Sequence, residues 1–584
     1  MVTDANNSGL FTGLLAQPST AGLSAPLACC CPGCMALAAA AQGGATPGSY
    51  ATTPTDNSYH FVAQAQAPLQ ASGGDIATLI AGSKWASLDA ASGKTVITYS
   101  FASPQTSTFS YTNSDFQASL SQFSGADQQL TRQVLARIEA VANVQFVEVP
   151  DNATEVGVLR YGYSQQPNAM NFAGYAFFPS STAIGGDIWI GAAQASSQWD
   201  FYRADLVLHE TLHALGLKHP FDSGAVLPTG QDIIPNTVMS YSPVAGGTSG
   251  FMSDYPVEPM ALDIAALQYL YGASALNAGD TIYDLSSASY QDGFHAVWDA
   301  GGNNTFDASR IARGVTLNLN EGAHSDIGAK VSASALVNGA NVDTTYTQTL
   351  TVAAGTVIQH AVGSGYDDVL IGNGASNWLY GGAGNDTLDG RDGNDFLVGG
   401  AGNNTLVGGA GVDTAIYAGG RAACSVQRAA GGSVTVSGAA GTDSLSGIER
   451  VWFSDGRLAL DLDGNAGKVA KILGAVFGPA SVHEQVYVGI GLNLLDGGMS
   501  YKDLIQLAID FRLGADASNA QLVDLLHSNV AGWPPSAAER ADYVAQLDNG
   551  TYSHESLTEM VAESELNQSH IDLVGLAATG IEYS

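Results

Sequence analysis

Apolar residues change their spacing several times along the chain, and each change predicts a different kind of element. Over residues 1–72, Ala, Gly, Ser, Thr and Pro dominate and no apolar period is sustained, which predicts a mostly disordered leader. Over 73–272 the periods of strand and helix alternate. Residues 76–86 read as a helix, 95–100 as a strand and 126–144 as a long amphipathic helix. Residues 144–149, 156–163, 174–179 and 186–190 read as further strands, so this stretch predicts one domain mixing helices with a sheet. Residues 204–220 follow, with Leu206, Val207, Leu208, Leu212, Leu215 and Leu217 making a largely apolar helix and turn. From 273 to 465 the sequence becomes Gly-rich and β-like. From 466 to 584 it returns to amphipathic helices, at 468–477, 501–511 and 555–563, which predicts a small all-α domain.

Within the Gly-rich stretch, Gly363, Gly372, Gly381, Gly390, Gly399 and Gly408 recur every nine residues. The sixth positions are Asp368, Asn377, Asp386, Asp395, Asn404 and Asp413, and the eighth are Leu370, Leu379, Leu388, Leu397, Leu406 and Ala415. The glycines let backbone carbonyls converge, the Asp adds a hard carboxylate oxygen, and calcium takes such oxygens. This resembles the RTX nonapeptide G-G-x-G-x-D-x-U-x, which implies that the large apolar residue points into a parallel β-roll. Asn at two sixth positions removes charge and predicts weaker sites there, and the first copy, with Tyr366 and Asp367, is irregular. A roll of this kind folds where calcium is plentiful, because metal binding supplies its folding free energy.

The apolar helix carries His209, Glu210, His213, Gly216 and His219 in the order H-E-x-x-H-x-x-G-x-x-H. Histidines four apart share one helix face, and two neutral imidazoles on one face suit zinc. Gly216 permits a sharp turn that returns His219 as a third ligand. A fourth position is then open to water, the arrangement of a catalytic zinc. Glu210 stands close enough to reach that water without ligating the ion.

The extended histidine motif, followed by Met239 in Thr-Val-Met-Ser-Tyr, resembles the metzincin clan of zinc endopeptidases. Pro220 after the third histidine and Tyr241 two residues after the methionine are similar to the serralysin family, as is the helical stretch 259–272. The resemblance implies an α+β metzincin-like zinc protease domain followed by a parallel β-roll, and a general-base role for Glu210 on zinc-bound water. It implies that Met239 packs beneath the metal and that Tyr241 ligates zinc or stabilises the transition state. Gly174, Tyr175, Ala176 and Phe177 would form the edge strand to which a peptide substrate adds. Further calcium ligands would fall on Asn277, Gly279, Thr281, Asp299, Gly301 and Gly302. The chain departs from the family pattern at Asn304, where Asp is usual, at Ile358, where Glu is expected after Thr356, and in a short loop between His219 and Met239. The helical tail is also atypical; it reads as a solvated helical cap, as the carrier of an export signal, or as a means of attachment to a cell-surface or assembly partner.

Charge and cysteine usage narrow the picture. With 54 acidic against 20 basic residues and a net charge of −34, nucleic acid is excluded as a partner. No apolar run is long enough for a transmembrane helix. The first basic residue is Lys84, so a Sec-type signal with a basic start is not expected. RTX relatives leave Gram-negative cells through a one-step ABC-type (type I) exporter, which implies a secreted, extracellular protein. Cys29, Cys30, Cys31 and Cys34 cluster in the leader as CCCPGC. They read as an incidental thiol cluster, as a latency device whose thiolate fills the open zinc position, or as a separate soft-metal site. The function expected is a secreted, calcium-stabilised zinc endopeptidase acting on protein substrates. The alternative is a cell-surface or matrix-binding RTX protein whose protease domain serves only self-processing.

Overall fold

The computed structural model describes residues 62–64 and 75–584, apart from 87, 110–113, 154, 170–171, 197–199, 248–249 and 430–432. The cysteine cluster lies outside these residues. The stretch read as a leader contributes a short strand, Val62–Gln64, antiparallel to Ser83–Trp85.

The helix expected over 76–86 is a single turn, Ile76–Leu79. Beyond it Ile80 bridges to Leu217, Gly82 takes a left-handed φ of 100°, and the chain becomes extended. Partners from distant sequence override local propensity here.

The sheet of this domain consists of β1 (Thr95–Phe101), β2 (Val144–Glu148), β3 (Leu159–Ser164), β4 (Gly174–Ala176) and β5 (Asp187–Gly191). Their order is β2-β1-β3-β5-β4, and all pairings are parallel except that of edge strand β4 with β5. Strands β3 and β5 are buried throughout, because helices or loops cover both faces. Helix α1 (Gly125–Val141) starts where the Ser124 hydroxyl accepts from the Asp127 amide, and buries Val134, Leu135 and Ile138. Helix α2 (Asp200–Ala214) and helix α3 (Ala261–Tyr271) add Leu208, Leu212, Ile264 and Leu267 to the same core.

The roll is built from two facing sheets that share the chain in alternation. Leu370, Leu388 and Leu406 point inward from one sheet; Leu379, Leu397 and Ala415 point inward from the other, and all six are fully buried. The period of nine is therefore half a turn of the roll. A hairpin at Ser425–Arg428 and Val434–Gly438 interrupts the coil, which resumes at Gly441–Ser446 and Arg450–Phe453. The helical domain begins at Asn465–Phe477. It is tied back to the roll by the buried Arg450, which pairs with Asp461 and Asp496, and by strand Ile581–Tyr583, which adds antiparallel to Gly456–Ala459. The fold is thus an α+β domain, a parallel β-roll and a small all-α domain. Among the described residues no helix is long and apolar enough to cross a membrane.

A charge cluster around the buried His295 joins the first domain to the roll. His295 lies 3.2 Å from Glu258 and 3.2 Å from Asp292. Burial alone would lower its pKa, but the two acids overcome burial and lift it to about 9. A raised histidine stabilises the fold fully below its ordinary value near 6.5 and loses that contribution as pH rises through the folded value. Nearby Asp254 is pushed up to about 7 by burial and by Asp292, so its destabilising ionisation falls mostly below that window. Between pH 6.5 and 9.5 the wild-type melting temperature is therefore expected to fall more steeply than that of His295→Gln. Parallel thermal-melt curves for the two proteins would show that the cluster carries no such linkage.

Candidate active site and calcium columns

Helix α2 brings His209 and Glu210 in its penultimate turn and His213 in its last. The helix stops because its final carbonyls are taken by other groups: Trp85 Nε1 donates to Ala214 O at 2.8 Å and the Tyr271 hydroxyl to Leu215 O at 2.6 Å. Gly216 follows with φ +106°, and a Cβ there would lie 2.3 Å from the Ser83 carbonyl oxygen, so only glycine makes this turn. The turn carries His219 back toward α2.

The three histidines converge through Nε2. His219 Nε2 stands 3.0 Å from that of His213 and 3.3 Å from that of His209. The opposite nitrogens of His209 and His213 are hydrogen-bonded to carbonyls, and that of His219 faces a carboxylate. His209 Nδ1 is 2.7 Å from Val238 O, His213 Nδ1 is 2.8 Å from Leu217 O, and His219 Nδ1 is 3.3 Å from the Asp222 carboxylate. Protons on Nδ1 leave three Nε2 lone pairs facing one point. Burial lowers all three pKa values, that of His209 to about 4, so the rings are neutral at physiological pH. Three buried lone pairs crowded together, with only the Tyr241 hydroxyl in reach of that of His219, suit a cation, and three imidazoles suit zinc.

Glu210 is 1% exposed, and its Oε2 has no hydrogen-bond partner. Burial pushes its pKa up to about 8. Gly174 of β4 packs directly on it: a Cβ at 174 would stand 2.6 Å from Glu210 Oε1. Tyr175 and Phe177 turn into an aromatic cluster with Phe116 and Trp189, while Ala176 packs on the main core. Only the main chain of this edge strand is left to meet a ligand. Met239 is fully buried one residue after Val238, whose carbonyl accepts from His209. The Tyr241 hydroxyl is 2.5 Å from His219 Nε2. Phe221, 41% exposed, stacks on the His219 ring at 5.0 Å and 4°.

Three residues escape a motif reading. Asp222 orients His219; its signal is an acid three residues after the last histidine. Asp263, in the apolar α3, holds the turn before Met239 by accepting from Thr237 Oγ1 at 2.5 Å and from the Val238 amide at 2.9 Å. Phe221 has no sequence signal beyond its place after Pro220.

In the roll, the sixth-position residues stack eighteen apart in two columns. In one column Asp368 N donates to Asp386, Asp386 N to Asn404 and Asn404 N to Asp443, each at 2.9 Å. In the other, Asn377 N donates to Asp395, Asp395 N to Asp413 and Asp413 N to Glu449. Asp443 and Glu449 are missed by the repeat because the inserted hairpin breaks its phase. The second oxygens of Asp386, Asp395 and Asp413 are buried without a hydrogen-bond partner, which fits calcium, a taker of hard oxygens. Asp368 differs, since Ser364 N and Ser364 Oγ fill its oxygens at 2.6 and 2.9 Å.

At the Asn positions an amide N–H stands where a cation would be needed. Asn404 Nδ2 donates to Asp443 at 2.9 Å, and Asn377 Nδ2 to Gln359 O at 3.1 Å. The same happens between the loops holding the six other candidate calcium residues. Gly302 (φ +92°) presses on Gly279, the Thr281 hydroxyl donates to Gly279 O, and Tyr283 and the Gly301 amide donate to Asp299. Asn277 turns this segment at φ 58°. Asn304 Nδ2 reaches Gly301 O and Val357 O at 3.3 and 3.1 Å, filling the gap with an internal donor. Ile358, at the family's glutamate position, is fully buried. Asn404→Asp is accordingly expected to add one calcium per chain and to raise melting in calcium while lowering it in chelator. Calorimetric stoichiometry checks this; an unchanged count would contradict it.

Comparison with known proteins agrees with both halves of this picture. Residues 362–397 and 389–421 match the RTX calcium-binding nonapeptide repeat family. Serralysin B of Dickeya chrysanthemi is 32% identical over 301 residues, 47% of this chain and 58% of the relative. Serralysin G of the same organism is 33% identical over 276 residues, covering 43% and 54%, and the serralysin of Photorhabdus laumondii is 32% identical over 299 residues, covering 47% and 58%. The chain spans just over half the length of these relatives. Over nearly half of its own length the chain is similar to serralysins, and residues 362–421 match RTX calcium-binding repeats.

Proposed function

We propose that the protein is a secreted, calcium-stabilised zinc endopeptidase. The observation that carries the reading is the convergence of three buried Nε2 lone pairs beside a buried carboxylate with an unpartnered oxygen. Zinc held by His209, His213 and His219 would supply Lewis acidity, polarising the scissile carbonyl and acidifying a water. Glu210 accepts the proton of the attacking water and delivers it to the departing amine nitrogen as the C–N bond breaks. Its burial favours the protonated form it must pass through. Tyr241 donates to the carbonyl oxygen as negative charge builds there. The main chain of β4 pairs with the extended peptide, and because Tyr175 and Phe177 face the core, side-chain selection by this strand is weak.

The acidic composition and the calcium columns support export, unfolded, from a calcium-poor cytosol through a type I exporter of a Gram-negative cell. We assign the helical domain to attachment, because Tyr487, Ile490, Leu507 and Phe511 leave an apolar groove open on it. The function is tested by metal analysis joined to casein hydrolysis. The wild type should hold one zinc per chain and hydrolyse casein in calcium, and His213→Ala should lose both. A wild type that binds no stoichiometric zinc overturns the reading.

A further inference from the structure

A long hairpin, His324–Val337 with Ala340–Val352, leaves the roll and crosses to the first domain. Its base belongs to the roll: Ile327, Ala329, Leu350 and Val352 sit in the roll core. Its distal half belongs to the other core, where Val331 and Ala333 are 1% and 3% exposed. There it adds a strand to Gly250–Met252, pairing Ala333 with Met252, Ser334 with Phe251 and Ala335 with Gly250. The approach is close: a Cβ on Gly250 would lie 2.3 Å from Ser334 O, and one on Gly247 would lie 2.7 Å from the Ala335 methyl.

The hairpin also reaches the segment that carries Tyr241. Tyr346, braced edge-on against Phe294 at 5.5 Å, donates its hydroxyl to Pro243 O at 2.8 Å. Pro243 lies two residues beyond Tyr241. The same segment is also tied by Ser242 Oγ to Gly247 O at 3.0 Å, by the Ile234 amide to Ser242 O at 3.0 Å and by Ser240 Oγ to Asp232 at 2.6 Å. We propose that the hairpin is a strut of the active site and that Tyr346 is a positioning residue, holding the Tyr241 hydroxyl at its place beside His219. Since the strut is rooted in the roll, the completeness of the site depends on the roll being folded. The inference rests on the role given to Tyr241 above.

The test is a double-mutant cycle in the full chain with casein as substrate. Tyr346→Phe keeps the ring and its packing but removes the bond to Pro243. It is expected to lower kcat about fivefold with KM nearly unchanged, the loss of one hydrogen bond's positioning. In a Tyr241→Phe background the same change should cost nothing, because no hydroxyl remains to be placed. An unchanged kcat, or effects that multiply, overturns the proposal. Amide hydrogen exchange gives a readout that needs no activity: residues 240–247 should exchange faster in Tyr346→Phe while 204–214 do not. Equal exchange in both segments also overturns it. If the wild type hydrolyses no casein, the protease reading fails while the exchange arm still decides the strut.

Discussion

Glu210→Gln is expected to abolish casein hydrolysis while leaving zinc content unchanged. Gln is nearly isosteric, so it fits beneath Gly174 as Glu does, where a Cβ would already collide with the carboxylate. The three Nε2 atoms and their Nδ1 partners are untouched, so the metal affinity stays. What is lost is a group that accepts a proton from water and returns it to nitrogen. General base and acid catalysis by a placed side chain is worth about 10²–10⁴ in rate, or roughly 3–5 kcal/mol. The variant should also melt higher, because a buried carboxylate oxygen without a partner is replaced by a neutral amide. Activity within tenfold of wild type would remove Glu210 from the mechanism.

Chelating calcium is expected to melt the roll. Asp386, Asp395 and Asp413 each bury an unpartnered oxygen, and all three lie in stacked columns of acids. At a hundredfold excess over its dissociation constant, one bound ion contributes about 2.7 kcal/mol. Three such ions give about 8 kcal/mol, comparable with the roughly 5–15 kcal/mol that holds a domain together. Removing them therefore costs the roll most of its stability, and its parallel sheets should vanish from the circular-dichroism spectrum. The strand Ile581–Tyr583 and the Arg450 pairs then lose their seat, so the helical domain should loosen with it. A spectrum indifferent to chelator would refute the calcium columns.

The histidine cluster was legible because His209, His213 and His219 lie within eleven residues, where helix geometry fixes who faces whom. The roll was legible because its period repeats. What was not legible depends on contacts between distant residues. Nothing local marks Tyr346 as a partner of Pro243, or residues 331–335 as a strand beside 250–252. The short helix at Ile76–Leu79 was overread because Gly82 and the bridge to Leu217 act from outside its own pattern. Family resemblance predicts the edge strand at residues 174–177 and its main-chain contact with a peptide; that the Tyr175 and Phe177 rings fill a core was not legible, because only the folded sheet creates that core.

The alternation of the roll between two sheets sets a rule for its length. Each nine-residue unit crosses from one sheet to the other, so a change of nine would hand every later strand to the wrong side. The seat for Ile581–Tyr583 and the site of Arg450 would then face away from the helices they hold. Within the uninterrupted repeats, steps of eighteen preserve both columns and the docking beyond them. Lengthening the regular repeats by design is therefore quantised in whole turns, each bringing one added rung to each column.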